Sequence, residues 1–435
     1  MMPMKPIILS HFRCDVTPPL GHPLCGGWIA PATEIVDRQW ADGIILKGDE
    51  LPVVLVAVDW CEIRNEGHDQ WRQQIAAAVG TTRERVAVQC VHPHDAVFAD
   101  PEAERLLQKH RAPVRSMDLP FFEQTIAEAA EAARSAVRGG EPVTHVGTGQ
   151  GRVQQVASNR RVKGPDGKVG PARYSSCKDE ALRAAPEGLI DPYLKTISFW
   201  NGDRLLAALH YYATHPMSYY GQGDVSCDFC GLARDRMAAE AGGAHLYFTG
   251  GAGNIGAGKY NDGSLEMRPI LTERMLDGMR AALASTRTEP ARRLSWSSLP
   301  VRLPTREEFT ETLYRELLED ETACYLDRYR GASGLAWLNR VGSGHAIDFS
   351  CLVVNDARVL HLPGEPFVEY QLHAQQQRPD RFVVLAGYGD CGPGYLPTAA
   401  AYEEGGYEVG WEALVAPEVE AVIHAAIAQL LQEAD

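Results

Sequence analysis

Short apolar runs alternate with polar or amphipathic stretches along the chain, and this alternation predicts strands that alternate with helices. Residues 52–60 (PVVLVAVDW) and 205–212 (LLAALHYY) are nearly continuous apolar runs, which are typical of strands covered on both faces. Shorter strands are predicted at 85–90, 244–248, 347–354, 359–362 and 382–385. Helices are predicted at about 65–79, 121–138, 265–285, 305–330, 366–377 and 415–432.

This order of elements predicts one α/β domain covering residues 1–435, with a mixed or mostly parallel central sheet flanked by helices. Residues 347–354 and 359–362 are expected to form a hairpin that turns at Asn355-Asp356. The segment 147–175 is polar and rich in glycine, so we expect an irregular insert or a functional lid there. No internal repeat is visible in the sequence.

Composition narrows the choice of partners and compartment. A net charge of −15, without a dense basic patch, argues against binding to nucleic acid. Neither a signal-length apolar segment at the N-terminus nor a run of about 20 apolar residues is visible, so we expect a cytoplasmic protein that does not enter membranes. The ten cysteines are irregularly spaced, which favours reduced thiols. We therefore expect a small-molecule partner, and self-association into a homo-oligomer stays open.

Histidines follow two of the predicted strands. The segment from Leu205 to Arg234 begins as an apolar strand and breaks at His215-Pro216, and the strand at 85–90 leads into His92-Pro93-His94. Because α/β proteins place their chemistry beside the carboxyl ends of strands, the two clusters predict a shared metal. His92 and His94 are two residues apart, so both point the same way if the segment is extended.

A glycine-rich stretch, 249–260 (TGGAGNIGAGKY), resembles two nucleotide-binding motifs. Both motifs require a helix to begin at once, whereas a turn at Asn261-Asp262-Gly263 follows here. We interpret the glycines instead as positions where the backbone approaches a ligand or metal, with Gly253 and Asn254 on the substrate side. Cys227 and Cys230 form a lone CxxC pair, which is a weak signal for zinc or redox chemistry.

Several short motifs occur together in a fixed order. They are Asp15-Val16-Thr17-Pro18-Pro19, His92-Pro93-His94, Asn159-Arg160, Ala213-Thr214-His215-Pro216 with Asp228, Pro363-Gly364-Glu365, and Gly394-Tyr395 with Thr398, Tyr402, Tyr407 and Glu408. With this set the chain resembles the N-terminal catalytic domain of the neutral/alkaline non-lysosomal ceramidase superfamily, a zinc amidase family. The resemblance runs from Asp15 to Glu408, nearly the whole chain.

The resemblance implies a Zn²⁺ site with His92, His215, Glu365 and Tyr395 as ligands. Imidazole and carboxylate ligands suit zinc, whereas tyrosine is an unusual ligand, so Tyr395 could stabilise an oxyanion instead. Glu365 could also be a charge that only favours the start of a helix. The sequence departs from the family where the family has a catalytic serine, because residues 253–257 read Gly-Asn-Ile-Gly-Ala. The family's C-terminal immunoglobulin-like domain is not found in this sequence either.

These features predict a zinc-dependent hydrolase that cleaves an amide, or an ester, in a small polar substrate with metal-activated water. His94 is the candidate for accepting the proton of that water. Tyr395, Tyr219 and the amides of residues 251–256 are candidates for stabilising the oxyanion. Asp228 and Asp59 are expected to orient histidines. The alternatives are a zinc-dependent lyase or isomerase, and a ligand-binding homologue without catalytic activity.

Basic residues suggest the charge of the substrate. Arg160, Arg161, Lys163 and Lys168 lie in one polar loop, and together with Lys259 they could reach over the site. Guanidinium groups pair with carboxylate or phosphate, so we expect such a group on the substrate. The alternative is a solvated basic loop with no binding role.

Overall fold

Three separate mixed sheets, rather than one central sheet, hold most of the strands. The computed structural model describes residues 5–433. In spatial order the first sheet contains Val86–Cys90, Val53–Val58, Trp40–Lys47, Ile7–Asp15 and Glu141–Val143. The second contains Ala244–Thr249, Arg204–Tyr212, Tyr193–Asn201, His145–Arg152 and Arg287–Pro290. The third contains Leu294–Val301, Ile347–Val354, Ala357–His361 and Phe382–Ala386.

Each sheet has one parallel pair of strands, and its other pairs are antiparallel. The parallel pairs join Val53–Val58 to Val86–Cys90, Arg204–Tyr212 to Ala244–Thr249, and Ala357–His361 to Phe382–Ala386. A helix connects the strands of each pair, as parallel pairing requires a crossover. The predicted α/β class with mixed pairing is confirmed, whereas a mostly parallel central sheet is not.

The helices pack outside these sheets. They are Asn65–Val79, Pro101–Lys109, Leu119–Val137, Glu180–Ala184, Asp228–Ala241, Met267–Ala284, Glu311–Glu319, Tyr325–Gly342, Val368–Gln377, Ala399–Glu404 and Val419–Glu433. Short turns of 3₁₀ helix occur at Cys25–Gly27, Arg83–Arg85 and Tyr407–Val409. Four two-residue strand pairs join loops: Glu34–Ile35 with Asp224–Val225, Glu62–Ile63 with Phe98–Ala99, Ser158–Asn159 with Ile255–Gly256, and Glu365–Pro366 with Tyr395–Leu396.

The three parallel pairs meet at their carboxyl ends. Cys90 of the first sheet donates its backbone N–H to the Tyr388 carbonyl, just beyond the third sheet, at 2.8 Å. Gly387 donates in turn to the carbonyl of Thr249 in the second sheet at 2.9 Å. The Thr249 hydroxyl closes the ring by donating to the Val91 carbonyl at 2.6 Å. The loops that leave the three sheets therefore enter one common region.

The segment 147–175, expected to be irregular, begins as a strand. Residues 145–152 form a central strand of the second sheet, in which glycine occupies every second position. That face lies against the helix Met267–Ala284: a Cβ on Gly149 would lie 2.2 Å from the Ala282 carbonyl oxygen, and one on Gly151 would lie 2.3 Å from that of Gly278. The glycines therefore reflect close strand–helix packing and not a flexible loop.

Two further differences concern element boundaries. The helix expected over 305–330 is two helices, Glu311–Glu319 and Tyr325–Gly342. The sequence prediction also omitted the strands Ile7–Asp15, Trp40–Lys47, Tyr193–Asn201 and Leu294–Val301, which pair as antiparallel neighbours within the sheets. Across residues 5–433, none of the helices combines the length and the apolar composition needed to cross a membrane.

Candidate metal centre and active-site cavity

Three acceptor side chains converge where the sheets meet. His92 follows the strand Val86–Cys90, His215 follows Arg204–Tyr212, and Glu365 follows Ala357–His361. Each residue comes from a different sheet, and each lies past the carboxyl end of a strand in a parallel pair, as the sequence predicted. His92 has a φ of +77°, an uncommon conformation for a residue with a side chain, and such strain is concentrated at functional sites.

Backbone carbonyls fix the orientation of both histidine rings. His92 Nδ1 lies 2.7 Å from the Cys61 carbonyl oxygen, and His215 Nδ1 lies 2.9 Å from that of Ala252 and 3.0 Å from that of Ile255. Carbonyls only accept, so each Nδ1 carries the proton and each Nε2 presents a lone pair. The two Nε2 atoms lie 3.5 and 3.1 Å from the same oxygen, Oε2 of Glu365.

Burial keeps the histidines neutral and opposes charge on the carboxylate. Burial lowers the pKa of His92 and of His215 well below the usual range. The neighbouring His215 lowers the pKa of His92 further, and the charge of Arg160 lowers that of His215 further. Burial raises the pKa of Glu365 to about 8, against the effect of Arg160. Neutral imidazole is the form that ligates metals.

A cation would satisfy these three residues. Glu365 Oε2 is buried and has no hydrogen-bond partner within the described part of the chain, and the Nε2 atoms that face it are acceptors. Buried acceptors that face one another without a donor are costly unless a proton or a metal ion lies between them. The set of two imidazoles and one carboxylate is a common one for catalytic zinc, which keeps a further position open.

His94 belongs to the same cluster. Its Nε2 lies 3.3 Å from Nε2 of His92, and its Nδ1 lies 3.6 Å from Sγ of Cys25. His92, His94 and His215 form a group whose ligand atoms lie within 4.8 Å of one another. Two imidazole nitrogens bound to one tetrahedral zinc ion would be about 3.3 Å apart. The geometry therefore allows His94 to ligate a metal as well as to accept a proton beside it.

Arg160 and Tyr395 form the other side of the cluster. Arg160 Nη2 donates to the Gly253 carbonyl at 2.6 Å, to the Tyr395 hydroxyl at 3.1 Å and to His215 Nε2 at 3.3 Å. A metal on His215 would displace the last of these bonds. Burial raises the pKa of Tyr395 well above its usual range, so the phenol stays protonated and can donate a hydrogen bond.

A cavity of about 500 Å³ opens onto the cluster. This volume suits a small organic molecule. Its polar lining consists of Cys25, Cys61, Glu62, Arg64, His92, His94, Arg160, Ser175, Ser176, Glu365 and Glu412. Its apolar and aromatic lining consists of Trp28, Ile29, Phe98, Tyr174, Met217, Tyr220, Tyr395 and Tyr407.

Of the predicted basic group, Arg160 alone lines the cavity. Arg161 forms a buried ion pair with Glu408 at 3.0 Å, and Lys259 donates to the Arg183 and Ala185 carbonyls at 2.9 and 2.6 Å. Both side chains are thus engaged in holding loops together, and neither lines the cavity. Arg160 and Arg161 are both buried, so a solvated loop does not describe them either.

Gly253 and Asn254 pack against the backbone around Glu365 and the helix that follows it. A Cβ on Gly253 would lie 2.4 Å from the Glu365 carbonyl oxygen, so only glycine fits there. The Asn254 side chain accepts from the Val368 N–H at 2.9 Å and donates to Glu369 at 2.8 Å. The N–H of Gly253 donates to the Pro366 carbonyl, and the N–H of Gly251 donates to Gln371, so neither amide is free for an oxyanion. Gly253 and Asn254, predicted on the substrate side, therefore do not line the cavity.

Tyr219 and Asp228 also lie outside the cavity lining. The Tyr219 ring stacks against the guanidinium of Arg268 at 3.8 Å, and the neighbouring Tyr220 lines the cavity, 5.2 Å from the His94 ring. Asp228 accepts from the N–H and the hydroxyl of Ser218, both at 3.0 Å. It therefore fixes the loop after His215 and does not contact a histidine.

The other residues expected around the site are engaged elsewhere. Asp59 forms an ion pair with Arg234 at 2.7 Å and does not orient a histidine. Cys227 and Cys230 are fully buried at the start of the helix Asp228–Ala241, and within residues 5–433 neither joins a group of possible metal ligands. The lone CxxC is therefore a packing feature.

Sequence reasoning missed Cys25, Cys61 and Glu62 in the cavity. A hydrogen bond from Cys61 and the charge of His94 lower the pKa of Cys25 to about 6, and burial raises the pKa of Glu62 to about 8. Cys61 and Glu62 directly follow the apolar run 52–60, and this position beyond a strand end could have identified them. Cys25 follows no predicted strand, so the sequence carries no comparable signal for it.

No protein-family model and no curated protein matches this chain. Solved structures do match it. The crystal structure of neutral ceramidase from Pseudomonas aeruginosa aligns with 99% of this chain and 75% of its own, at a TM-score of 0.72 and 17% identity. A ceramidase complexed with C2 aligns with 99% of this chain and 76% of its own, with the same TM-score and identity. In fold, the chain is therefore similar to neutral ceramidase over nearly its whole length.

Proposed function

We propose that the protein is a zinc-dependent hydrolase that cleaves an amide, or less readily an ester, in a small substrate with an anionic group. The observation that carries this proposal is the convergence of His92 Nε2, His215 Nε2 and Glu365 Oε2 on one buried point beside a cavity. Three acceptors held by three sheets, of which Glu365 Oε2 has no hydrogen-bond partner within the described residues, suit a divalent cation. The ceramidase-like fold adds support, because ceramidases hydrolyse an amide.

Three groups have separate roles in the proposed reaction: the metal ion, His94 and Tyr395. Zinc held by these three residues would supply Lewis acidity, which lowers the pKa of a water from about 15.7 to about 7. His94 accepts the proton of the attacking water through Nε2, which lies on the cluster side of its ring. The Tyr395 hydroxyl donates a hydrogen bond to the oxygen of the scissile carbonyl as negative charge develops on that oxygen. No serine is needed as nucleophile in this scheme.

Arg160 supports an anionic substrate. It is buried beside the cluster, donates to three neutral acceptors, and within residues 5–433 its Nε has no hydrogen-bond partner. A buried guanidinium with spare donors favours a carboxylate or phosphate that arrives with the substrate. We further propose a dissolved small molecule as substrate and a cytoplasmic location, because ten free thiols suit a reducing compartment.

Metal analysis tests the proposal. Dialysed protein should retain zinc, and His215→Ala or Glu365→Gln protein should lose the ion that these residues hold. His373→Ala serves as the matched control, because His373 lies on the helix Val368–Gln377 and does not line the cavity. Full zinc retention by both cluster variants would refute the metal site.

Isotopic water then separates the reaction classes. After a metabolite screen on zinc-loaded protein, a hydrolase must place ¹⁸O from solvent into one product. Turnover without that label would indicate the lyase or isomerase alternative. Zinc retention without turnover on any anionic amide or ester would favour a ligand-binding protein.

A further inference from the structure

We propose a second, sulfur-rich metal site formed by Cys25, Cys61 and His94, adjacent to the first cluster in the same cavity. The three ligand atoms lie within 4.8 Å of one another. Two thiolates and one imidazole form a known zinc ligand set that keeps a fourth position open. Thiolate ligands also select soft ions such as Cu(I) over Mg²⁺ or Ca²⁺.

The distances fit such an ion. Cys25 Sγ lies 3.6 Å from Nδ1 of His94. A tetrahedral ion with the bond lengths of zinc would separate a thiolate sulfur from an imidazole nitrogen by about 3.6 Å. The two atoms thus stand at ligand separation, so little rearrangement would be needed on binding.

One backbone segment holds both cysteines in place. Cys25 donates its N–H to the Ala96 carbonyl at 2.8 Å, and Cys61 donates to the adjacent Val97 carbonyl, also at 2.8 Å. Ala96 follows two residues after His94, so the same loop supports all three ligands. Cys25 and Cys61 are only 2% and 1% exposed but line the cavity, so an ion can reach them from the substrate side. In residues 5–433 no other cysteine belongs to a group of possible metal ligands.

Occupation of this site would change the role of His94. The ring has its Nδ1 beside Cys25 and its Nε2 beside His92. When Nδ1 binds an ion, a neutral imidazole carries its proton on Nε2 and can no longer accept one there. We infer that a thiophilic ion at this site inhibits hydrolysis. This inference rests on the proposed function, in which His94 is the base.

Cobalt(II) titration of reduced, metal-free protein tests the site without any substrate. Thiolate–cobalt bonds give charge-transfer absorption in the near ultraviolet, whereas nitrogen and oxygen ligands do not. We expect wild-type protein to bind two ions and show this absorption. The variant Cys25→Ser/Cys61→Ser should bind one ion and lack it. Cys324→Ser, which removes an exposed thiol, should match wild type.

The outcomes separate the two metal sites. His215→Ala protein should keep the thiolate absorption and lose one ion. Wild-type protein that binds one ion without thiolate absorption overturns the second site and leaves the first intact. If wild-type protein shows thiolate absorption and His215→Ala binds as many ions as wild type, the second site is supported. The proposed function then fails, because its metal site is absent. If thiol titration of protein isolated without reductant finds two fewer thiols than the ten in the sequence, that protein contains a disulfide. If the same protein still binds no ion through thiolates once it is reduced, the second site is overturned.

Discussion

The Nε2 atoms of His92 and His94 lie 3.3 Å apart. His92 donates Nδ1–H to a carbonyl, so its Nε2 has a lone pair, and without an ion a proton on the neighbouring nitrogen would satisfy it. With an ion on His92, that nitrogen is free either to accept a proton or to bind the ion as well. Ligand and base are therefore adjacent, and their roles can be separated only by removing them one at a time.

Replacing His94 should lower kcat more than it lowers the metal content of the protein. If His94 is the base, His94→Ala keeps the ion held by His215 and Glu365 but loses on the order of a hundredfold or more in kcat. Zinc content and kcat should be measured on the same preparation, with His215→Ala as the variant that loses the ion. If His94→Ala loses the ion held by His215 and Glu365 in parallel with activity, His94 is a ligand of that ion.

Replacing Arg160 should affect affinity for an anionic substrate. A hydrogen bond to a charged group contributes about 1.5–3 kcal/mol, so Arg160→Gln should raise KM by about tenfold to a hundredfold. Arg160→Lys should recover part of this, because the charge is kept without the fork of donors. A neutral analogue of the substrate is the control, and an equal change in KM for both compounds would exclude charge recognition.

Replacing Arg161 should lower the stability of the fold. Its partner Glu408 is fully buried, and Arg161→Met would leave that carboxylate without its cation. Breaking a buried ion pair from one side typically lowers the free energy of unfolding by about 3–5 kcal/mol. Urea denaturation measures the change. An unaltered midpoint would mean that Glu408 finds another partner.

Close packing of the second sheet predicts a contrast between two glycines. In Gly151→Ala the new methyl group would lie 2.3 Å from a carbonyl oxygen of the facing helix, which must shift. Overpacking of this kind lowers the free energy of unfolding by about 1–3 kcal/mol. Gly170→Ala, where a Cβ meets nothing within 4 Å, should change it by less than about 0.5 kcal/mol. Equal unfolding free energies for the two variants would contradict the strand–helix contact.

Stability should fall on the acid side because of buried histidines. Burial lowers the pKa of His361 to about 3, whereas the unfolded chain has a histidine pKa near 6.5. Between these values only the unfolded state holds the proton, so the free energy of unfolding decreases as pH falls below about 6.5, by about 1.4 kcal/mol per pH unit.

His361→Phe isolates this contribution, since the ring contact with Trp296 can be kept while the titrating group is removed. Between pH 6.5 and 5 the variant should lose about 1.6 kcal/mol less than wild type in urea titrations. Equal slopes for the two proteins would show that folding does not lower the pKa of His361.

Sequence patterns identify the three residues that the structure brings together, because strand ends are visible in the sequence. His92, His215 and Glu365 each follow an apolar run, and convergence at the carboxyl ends is a rule of α/β architecture. The surrounding residues depend on loop conformation, which local patterns do not determine. Tyr219 and Tyr220 are adjacent and chemically alike, yet only Tyr220 lines the cavity, and the neighbours Arg160 and Arg161 likewise have different partners.

The origin of His92, His215 and Glu365 in three different sheets has a mechanical consequence. An ion bound to all three would act as a cross-link between parts of the fold that otherwise adhere through side-chain packing and a few backbone hydrogen bonds. Any motion that separates one sheet from the others must then break a coordination bond, so release of the ion and opening of the fold would be a single event. In metal-free protein the amides that join the sheets, such as those of Cys90 and Gly387, should accordingly exchange with solvent before the amides within each sheet.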